Sequence, residues 1–441
     1  MLSQNRAQGV LKEMAALPSK DLDSDIGLKL KQQALKDYAD YVNPMKVRTL
    51  KSAGLDIIEG RRDGAKVWDL SGRMYVDCIT GAGSFNSGRR NPVIVEALKR
   101  ALDEMDIGVF LICSKLKADL AKRLAEVTPG DLKWSMFAVG GGEANDYAIK
   151  LARGYTMKTE IISALKSYHG HTGFSLSAIG RDAYQKPFLP LMPGFKKVPF
   201  NDAQAIADAI TDDTAAVMLE PIQGEGGINV PSDDYLPAVR KICDEHGVLL
   251  ILDEIQTGLG RTGKMWCSEH YGIVPDIMTT AKSLGGSLYP IAATVFREEL
   301  GDFLITNPFI HLSTFGGSDL GCAVGLAVID YIVEHDLPGH AAHMGERFRA
   351  GFDVLVKQYP SILREVRQKG LMMGLQYAED SLGPRMSYQL AQNGVMAIFT
   401  GNDTSVMRLM PTLVINEEEV DFVLNALDQS MAAIMRQRGG N

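Results

Sequence analysis

The chain has 441 residues, 46% of them hydrophobic and 23% charged, with a formal net charge of -8. Its length exceeds what one hydrophobic core usually organises, so two domains of an ordinary globular protein are expected. The acidic balance and the lack of a basic face argue against a nucleic-acid partner, and five scattered cysteines (Cys78, Cys113, Cys243, Cys267, Cys322) predict reduced thiols rather than a disulfide framework or a metal site.

The opening MLSQNRAQGV lacks the apolar core of a signal peptide, and nowhere do the roughly 18 apolar residues of a membrane span run together. A cytoplasmic protein without membrane spans is expected. Residues 24–42 mix charged and apolar positions at helical spacing, which predicts an amphipathic helix packing on the body or on a partner subunit.

Strand-like runs then alternate with helical patterns, predicting an α/β sheet covered by helices. The first candidate strand, Trp134–Val139, leads into the segment GGGEANDYAIKLAR. Gly140, Gly141 and Gly142 would let backbone approach an anion, with the N–H groups of a helix start pointing at it. The same glycines also suit a plain strand-to-helix turn. The second strand, Glu160–Leu165, precedes SYHGHT, where Tyr168 reads either as core or as a platform for a ring. No third ligand is spaced to join His169 and His171 in a metal site, so a turn-stabilising role is expected for both.

Ala215–Glu220 is the third candidate strand, and Val248–Leu252 the fourth. The latter is uncharged and rich in leucine and β-branched residues, as in a strand buried on both faces of a parallel sheet. It leaves Asp253 and Glu254 at the carboxyl end, where open sheets hold ligands. A second short run, Asp276–Thr280, ends just before Lys282. An acid and an amine at the ends of two apolar strands meet the needs of a pyridoxal phosphate site. The amine forms a Schiff base with the carbonyl cofactor, and the carboxylate pairs with its pyridinium nitrogen. On pattern alone Asp253 reads equally well as a helix cap or turn former, and Lys282 as a solvated surface residue.

Gly258-Leu-Gly260-Arg-Thr-Gly263 has the G-x-G-x-x-G spacing of dinucleotide sites, but it starts five residues past Asp253 and no periodic helix follows. No G-x-S-x-G elbow is present, which leaves a serine hydrolase without support. Beyond about Val328 the pattern changes to long helices with scattered short strands.

These segments together resemble the class III, pyridoxal-phosphate-dependent aminotransferases of fold type I, over about Tyr41 to Ala432. The likeness rests on the Asp253–Lys282 stretch, AAVMLEPIQGEGG at 215–227, STFGG at 313–317 and VMRLMPTLVI at 406–415. YVNP near the N-terminus, FNSGRRNP at 85–92 and KPFLPLMPGFKKVPF at 186–200 look most like putrescine and other diamine aminotransferases.

The resemblance implies a large domain at 81–325 with a mostly parallel, seven-stranded sheet. It also implies a smaller α/β domain built from residues 1–80 and 326–441. It assigns Lys282 as the Schiff-base lysine and Asp253 as the pyridinium partner, with Gln256 beside the ring oxygen and Tyr168 stacked on the ring. Thr314 would reach the phosphate from the other subunit, which implies a homodimer with shared sites. Arg408 would hold an α-carboxylate, Glu225 would pair with that arginine, and residues around Phe85 would shape the substrate pocket. One departure stands out: members usually carry a Ser-Gly-Thr-like turn where this chain has Gly140–Gly142, so backbone amides must take over the phosphate contacts of the missing hydroxyls. The expected reaction moves an amino group from a diamine or an ω-amino or basic amino acid to a 2-oxo acid such as 2-oxoglutarate or pyruvate. A racemase or epimerase of the same class is the alternative.

Overall fold

The computed structural model describes residues 24–439. Its centre is a seven-stranded sheet of β1 (Leu132–Ala138), β2 (Glu160–Ala164), β3 (Phe195–Val198), β4 (Thr214–Leu219), β5 (Leu249–Asp253), β6 (Ile277–Thr280) and β7 (Ala292–Arg297). The strand order is β1-β7-β6-β5-β4-β2-β3. All neighbours pair in parallel except β7, which is antiparallel to both β1 and β6. The expected mostly parallel α/β sheet is therefore present.

Strand alternation explains why the central runs are apolar throughout. Ala216 and Met218 of β4 and Ile251 of β5 pack on one face with Tyr147, Ala148, Leu151 and Ala152 of the helix Gly141–Thr156. Val217, Leu219, Leu250 and Leu252 point the other way, toward Leu236, Val239 and Cys243 of the helix Tyr235–His246. Successive residues of one strand thus enter two different cores. Truncating any of these leucines to alanine is expected to cost about 2–5 kcal/mol.

Sequence expectation and structure differ at the strand ends. β1 runs from Leu132 to Ala138 rather than from Trp134 to Val139. Its end is set by Glu143, whose Oε2 accepts the Val139 N–H at 2.9 Å. β5 extends to Asp253 itself. The predicted N-terminal helix is present as Ser24–Tyr41, anchored where Lys31 Nζ reaches Asp69 Oδ2 at 2.8 Å. Its Ile26, Leu28 and Leu30 remain exposed.

Two four-stranded sheets flank the centre. One joins Glu59–Asp63, Lys66–Asp69 and Met74–Asp77 to Val395–Met396, bringing the two ends of the chain together. The other contains Leu363–Lys369, Met372–Tyr377, Val406–Leu409 and Ile398–Phe399. Arg408 lies in this sheet, paired across to Gly374 on one side and Ile398 on the other. No described helix is long and apolar enough to cross a membrane.

Candidate active site

Because β1, β2, β4, β5 and β6 run the same way, their carboxyl ends share one edge of the sheet, where a crevice is expected. β7 runs oppositely and brings its amino end to that edge. A cavity of about 350 Å³ opens there, lined by Val139–Gly142, Tyr168–Gly170, Glu220, Glu225, Asp253, Ile255–Thr257, Ala281, Lys282 and Tyr289–Ile291. Most of the residues singled out from the sequence converge on it.

Asp253 is 5% exposed, forms the turn after β5 and lines the cavity. Its Oδ1 accepts the Ile255 N–H at 3.1 Å, ending the strand. Its Oδ2 accepts from Asn145 Nδ2 at 2.8 Å and lies 2.9 Å from His169 Nδ1. Asn145 also donates to the His169 carbonyl at 2.7 Å and accepts from Thr279 Oγ1 at 2.8 Å. A fully buried amide thus joins the helix Gly141–Thr156, β6 and the Tyr168–His169 loop to one carboxylate. His169 is accordingly a partner of Asp253, not the turn-stabiliser expected from sequence. Its Nε2 is buried without a hydrogen-bond partner among the described residues.

Lys282 follows β6 with φ at +43°, a conformation that non-glycine residues adopt at a cost of about 1–3 kcal/mol. Its Nζ makes no hydrogen bond or ion pair within the described residues. Burial lowers the amine from its ordinary pKa, and Arg408 adds to this, against the opposing pull of Asp253, Glu225 and Glu220. An unpaired amine with a lowered pKa is a nucleophile.

Two further acids stand around the cavity. Glu220, just past β4, accepts the Tyr168 N–H at 2.9 Å and the Gly224 N–H at 3.0 Å. Burial pushes its carboxyl up to about 7. Glu225 pairs with Arg408 and accepts the Gly401 N–H at 2.9 Å. Burial pushes Glu225 up, but the charge and hydrogen bond of Arg408, together with the Gly401 N–H and the Lys282 charge, outweigh it and hold the carboxyl below its ordinary value.

The remaining candidates fall into place unevenly. Gln256 Nε2 donates to the Ala82 carbonyl at 2.9 Å, which leaves its second hydrogen available. Residue 224 is glycine, and a Cβ there would lie 1.7 Å from Gln256 Oε1 and push that flexible amide aside. Tyr168 lines the cavity, with its ring edge-on to His171 at 5.4 Å and Tyr184 at 6.4 Å. Among the described residues no side chain caps the helix that begins at Gly141, so its first amides remain open to an anion. A Cβ at Gly141 would meet Ile255 Cδ1 at 2.8 Å, whereas one at Gly140 would meet nothing within 4 Å. Thr314 is exposed and lines a separate cavity with Ser114 and Lys117. Phe85 does not line the Lys282 cavity; its ring lies 4.5 Å from the Arg89 guanidinium, which pairs with Asp77 and Glu59.

Sequence reading missed Asn145, Thr279, His169 in its observed contact, and Glu220. The only local signal was an asparagine on an otherwise apolar helix face and a glutamate ending an apolar strand.

Comparison with known proteins decides the family. Residues 51–431 match the sequence profile of the family described as aminotransferase class III. The chain belongs to the class III aminotransferases. It is 46% identical over 412 residues to an archaeal relative from Archaeoglobus fulgidus, described only as an uncharacterised aminotransferase, covering 93% of this chain and 97% of that one. Among solved structures it resembles an (S)-enantioselective omega-transaminase from Thermomicrobium roseum, with a TM-score of 0.84 and 29% identity over 90% of this chain and 97% of that one. It likewise resembles the ornithine aminotransferase of Toxoplasma gondii, with a TM-score of 0.82 and 30% identity over 87% and 92%.

Class III aminotransferases depend on pyridoxal phosphate. The residues present fit that group: an unpaired amine, a buried carboxylate carrying three donors and an uncapped helix start face one cavity.

Proposed function

We propose that this class III aminotransferase takes its amino group from a diamine or from an ω-amino or basic amino acid, with putrescine as the type donor. The acceptor in this reading is a 2-oxo acid such as 2-oxoglutarate or pyruvate. The observation that carries it is the Glu225–Arg408 pair beside the Lys282 amine. Paired, it presents no net charge to an amine donor; parted, Arg408 offers a planar fork to a carboxylate. The likeness to an ornithine aminotransferase and an omega-transaminase supports a donor whose reacting amine is remote from a carboxylate.

In this reading pyridoxal phosphate, held at Lys282, supplies the electron sink that makes a carbon–hydrogen bond beside the amine acidic. Lys282 would hold the group through its amine and, once released, would serve as the base and acid that moves a proton at the substrate carbon. Asp253, fixed by Asn145 and His169, would pair with the ring nitrogen. Gln256 and Tyr168, which line the same cavity, would hold the ring, the first by a hydrogen bond and the second by its aromatic side chain. The amides of Gly140–Gly142 would hold the phosphate together with Thr314 from a second copy of the chain, which makes the working unit of this reading a homodimer.

The test is single-turnover spectroscopy with a panel of donors and no acceptor. Putrescine or a related amine should convert the cofactor to its amino form and yield an oxidised product. Inverted configuration with unchanged cofactor would instead assign a racemase. Response only to α-amino acids without a second amine would remove the diamine reading.

A further inference from the structure

Behind the Glu225–Arg408 pair stands a second layer of hydrogen bonds. Arg408 holds one carboxylate oxygen of Glu225 and the Gly401 N–H the other. Gly401 lies in the turn between the strands Ile398–Phe399 and Val406–Leu409. The next residue, Asn402, is fixed on three sides. Its N–H donates to the Glu225 carbonyl at 3.0 Å, its Nδ2 donates to the Lys166 carbonyl at 3.0 Å, and its Oδ1 accepts from Arg181 at 2.9 Å. Arg181 also donates to the Gly401 carbonyl, and its guanidinium lies 5.2 Å from the Tyr184 ring. Space around the turn is tight: a Cβ on Gly401 would come 2.8 Å from the Tyr184 hydroxyl and 3.0 Å from Glu225 Oε2.

We propose that Arg181 is a specificity-setting, positioning residue. By latching the Gly401–Asn402 turn onto Glu225, it fixes how readily Glu225 releases Arg408 to a substrate carboxylate. The inference rests on the reading of the Glu225–Arg408 pair given above. A carboxylate gripped by both Arg408 and a fixed backbone N–H resists leaving, because departure strips two donors from it. Loosening the turn removes one of those restraints. A 2-oxo acid needs Arg408 free. A donor with a second ammonium needs it paired, since an unpaired guanidinium repels that ammonium. One equilibrium therefore weights both substrates, and any change in the latch moves their apparent affinities in opposite directions.

The experiment uses the holoenzyme with Arg181→Gln, and separately Gly401→Ala, which crowds Glu225 and Tyr184 while keeping the Arg181 side chain. Glutarate, a dicarboxylate that cannot react, is titrated by calorimetry, and KM is measured for putrescine and for 2-oxoglutarate in separate half-reactions. For both variants the glutarate Kd and the 2-oxoglutarate KM should fall, and the putrescine KM should rise, each by about twofold to tenfold, the worth of one net hydrogen bond. A merely structural role would lower both turnover numbers together without opposed KM shifts. An unchanged glutarate Kd in both variants, or KM values moving in the same direction, would overturn the latch. Arg408→Lys separates the two layers of the argument. If it leaves glutarate binding intact, the reading of the pair itself fails; if it weakens binding while Arg181→Gln and Gly401→Ala do nothing, only the latch fails.

Discussion

Removing the Asp253 carboxylate is the perturbation whose effect can be worked out most fully. Its Oδ2 takes Asn145 Nδ2 at 2.8 Å and His169 Nδ1 at 2.9 Å, and Oδ1 takes the Ile255 N–H at 3.1 Å, so the anion is held by three donors in a buried setting. An opposite charge at close range shifts a partner's pKa by about 1–3 units, worth about 1.4–4 kcal/mol. If ring-nitrogen protonation limits the proton transfer, Asp253→Ala should lower kcat by about tenfold to a thousandfold. The assay is half-reaction kinetics with a fixed donor, repeated with a cofactor analogue methylated on the ring nitrogen, which carries the positive charge permanently. The analogue should restore much of the loss in Asp253→Ala. Turnover within about twofold of the parent would refute the pairing, and a loss untouched by the analogue would show that Asp253 acts through structure alone.

Gly140 has extended backbone and open space where a Cβ would go, so Gly140→Ser should add a hydroxyl contact to the phosphate and tighten cofactor binding by roughly tenfold or more. An unchanged dissociation constant would contradict the placement of the phosphate. Gly224→Ala would put a Cβ 1.7 Å from Gln256 Oε1, the far end of a flexible side chain, so the amide should swing aside with denaturant stability kept within about 1 kcal/mol while the absorbance of bound cofactor changes. An unchanged spectrum would show that Gln256 does not touch the cofactor. Glu220 has a folded pKa raised from 4.5 to about 7, so the folded chain holds a proton that the unfolded chain releases. Its contribution is full below about pH 4.5 and is lost as pH rises through about 7, so the apo form of Glu220→Gln should lose less thermal stability than the parent between about pH 5 and 7.5. Equal slopes would show that Glu220 is not the titrating group.

What the sequence showed and what it concealed divide along a physical line. β4 and β5 were legible because both faces of each are buried, which demands unbroken apolar runs. The edge strand β3, Phe-Lys-Lys-Val, was not, because an edge position tolerates two lysines and erases the pattern. Asp253 and Lys282 were legible as polar residues at the ends of apolar strands. Asn145 and His169 were not, because they meet Asp253 across 108 and 84 positions of chain, and nothing local to either residue records that meeting. His169 was misread because a short histidine-glycine segment looks like a turn until its ring is seen against the carboxylate. The Gly258–Gly263 segment forms turns beyond β5. Its Arg261 is fully buried, bonded to the carbonyls of Leu371 and Pro411 and to Asn86 Oδ1 at 2.7 Å, and so ties this loop to both flanking segments.

The central claim is that Lys282 carries the cofactor. Borohydride reduction of the holoenzyme, followed by proteolysis and mass spectrometry of the peptides, tests it most directly. The account predicts one phosphopyridoxyl group per chain, on Lys282, and none in Lys282→Ala. Label on another lysine, or undiminished label in the Lys282→Ala chain, would contradict it.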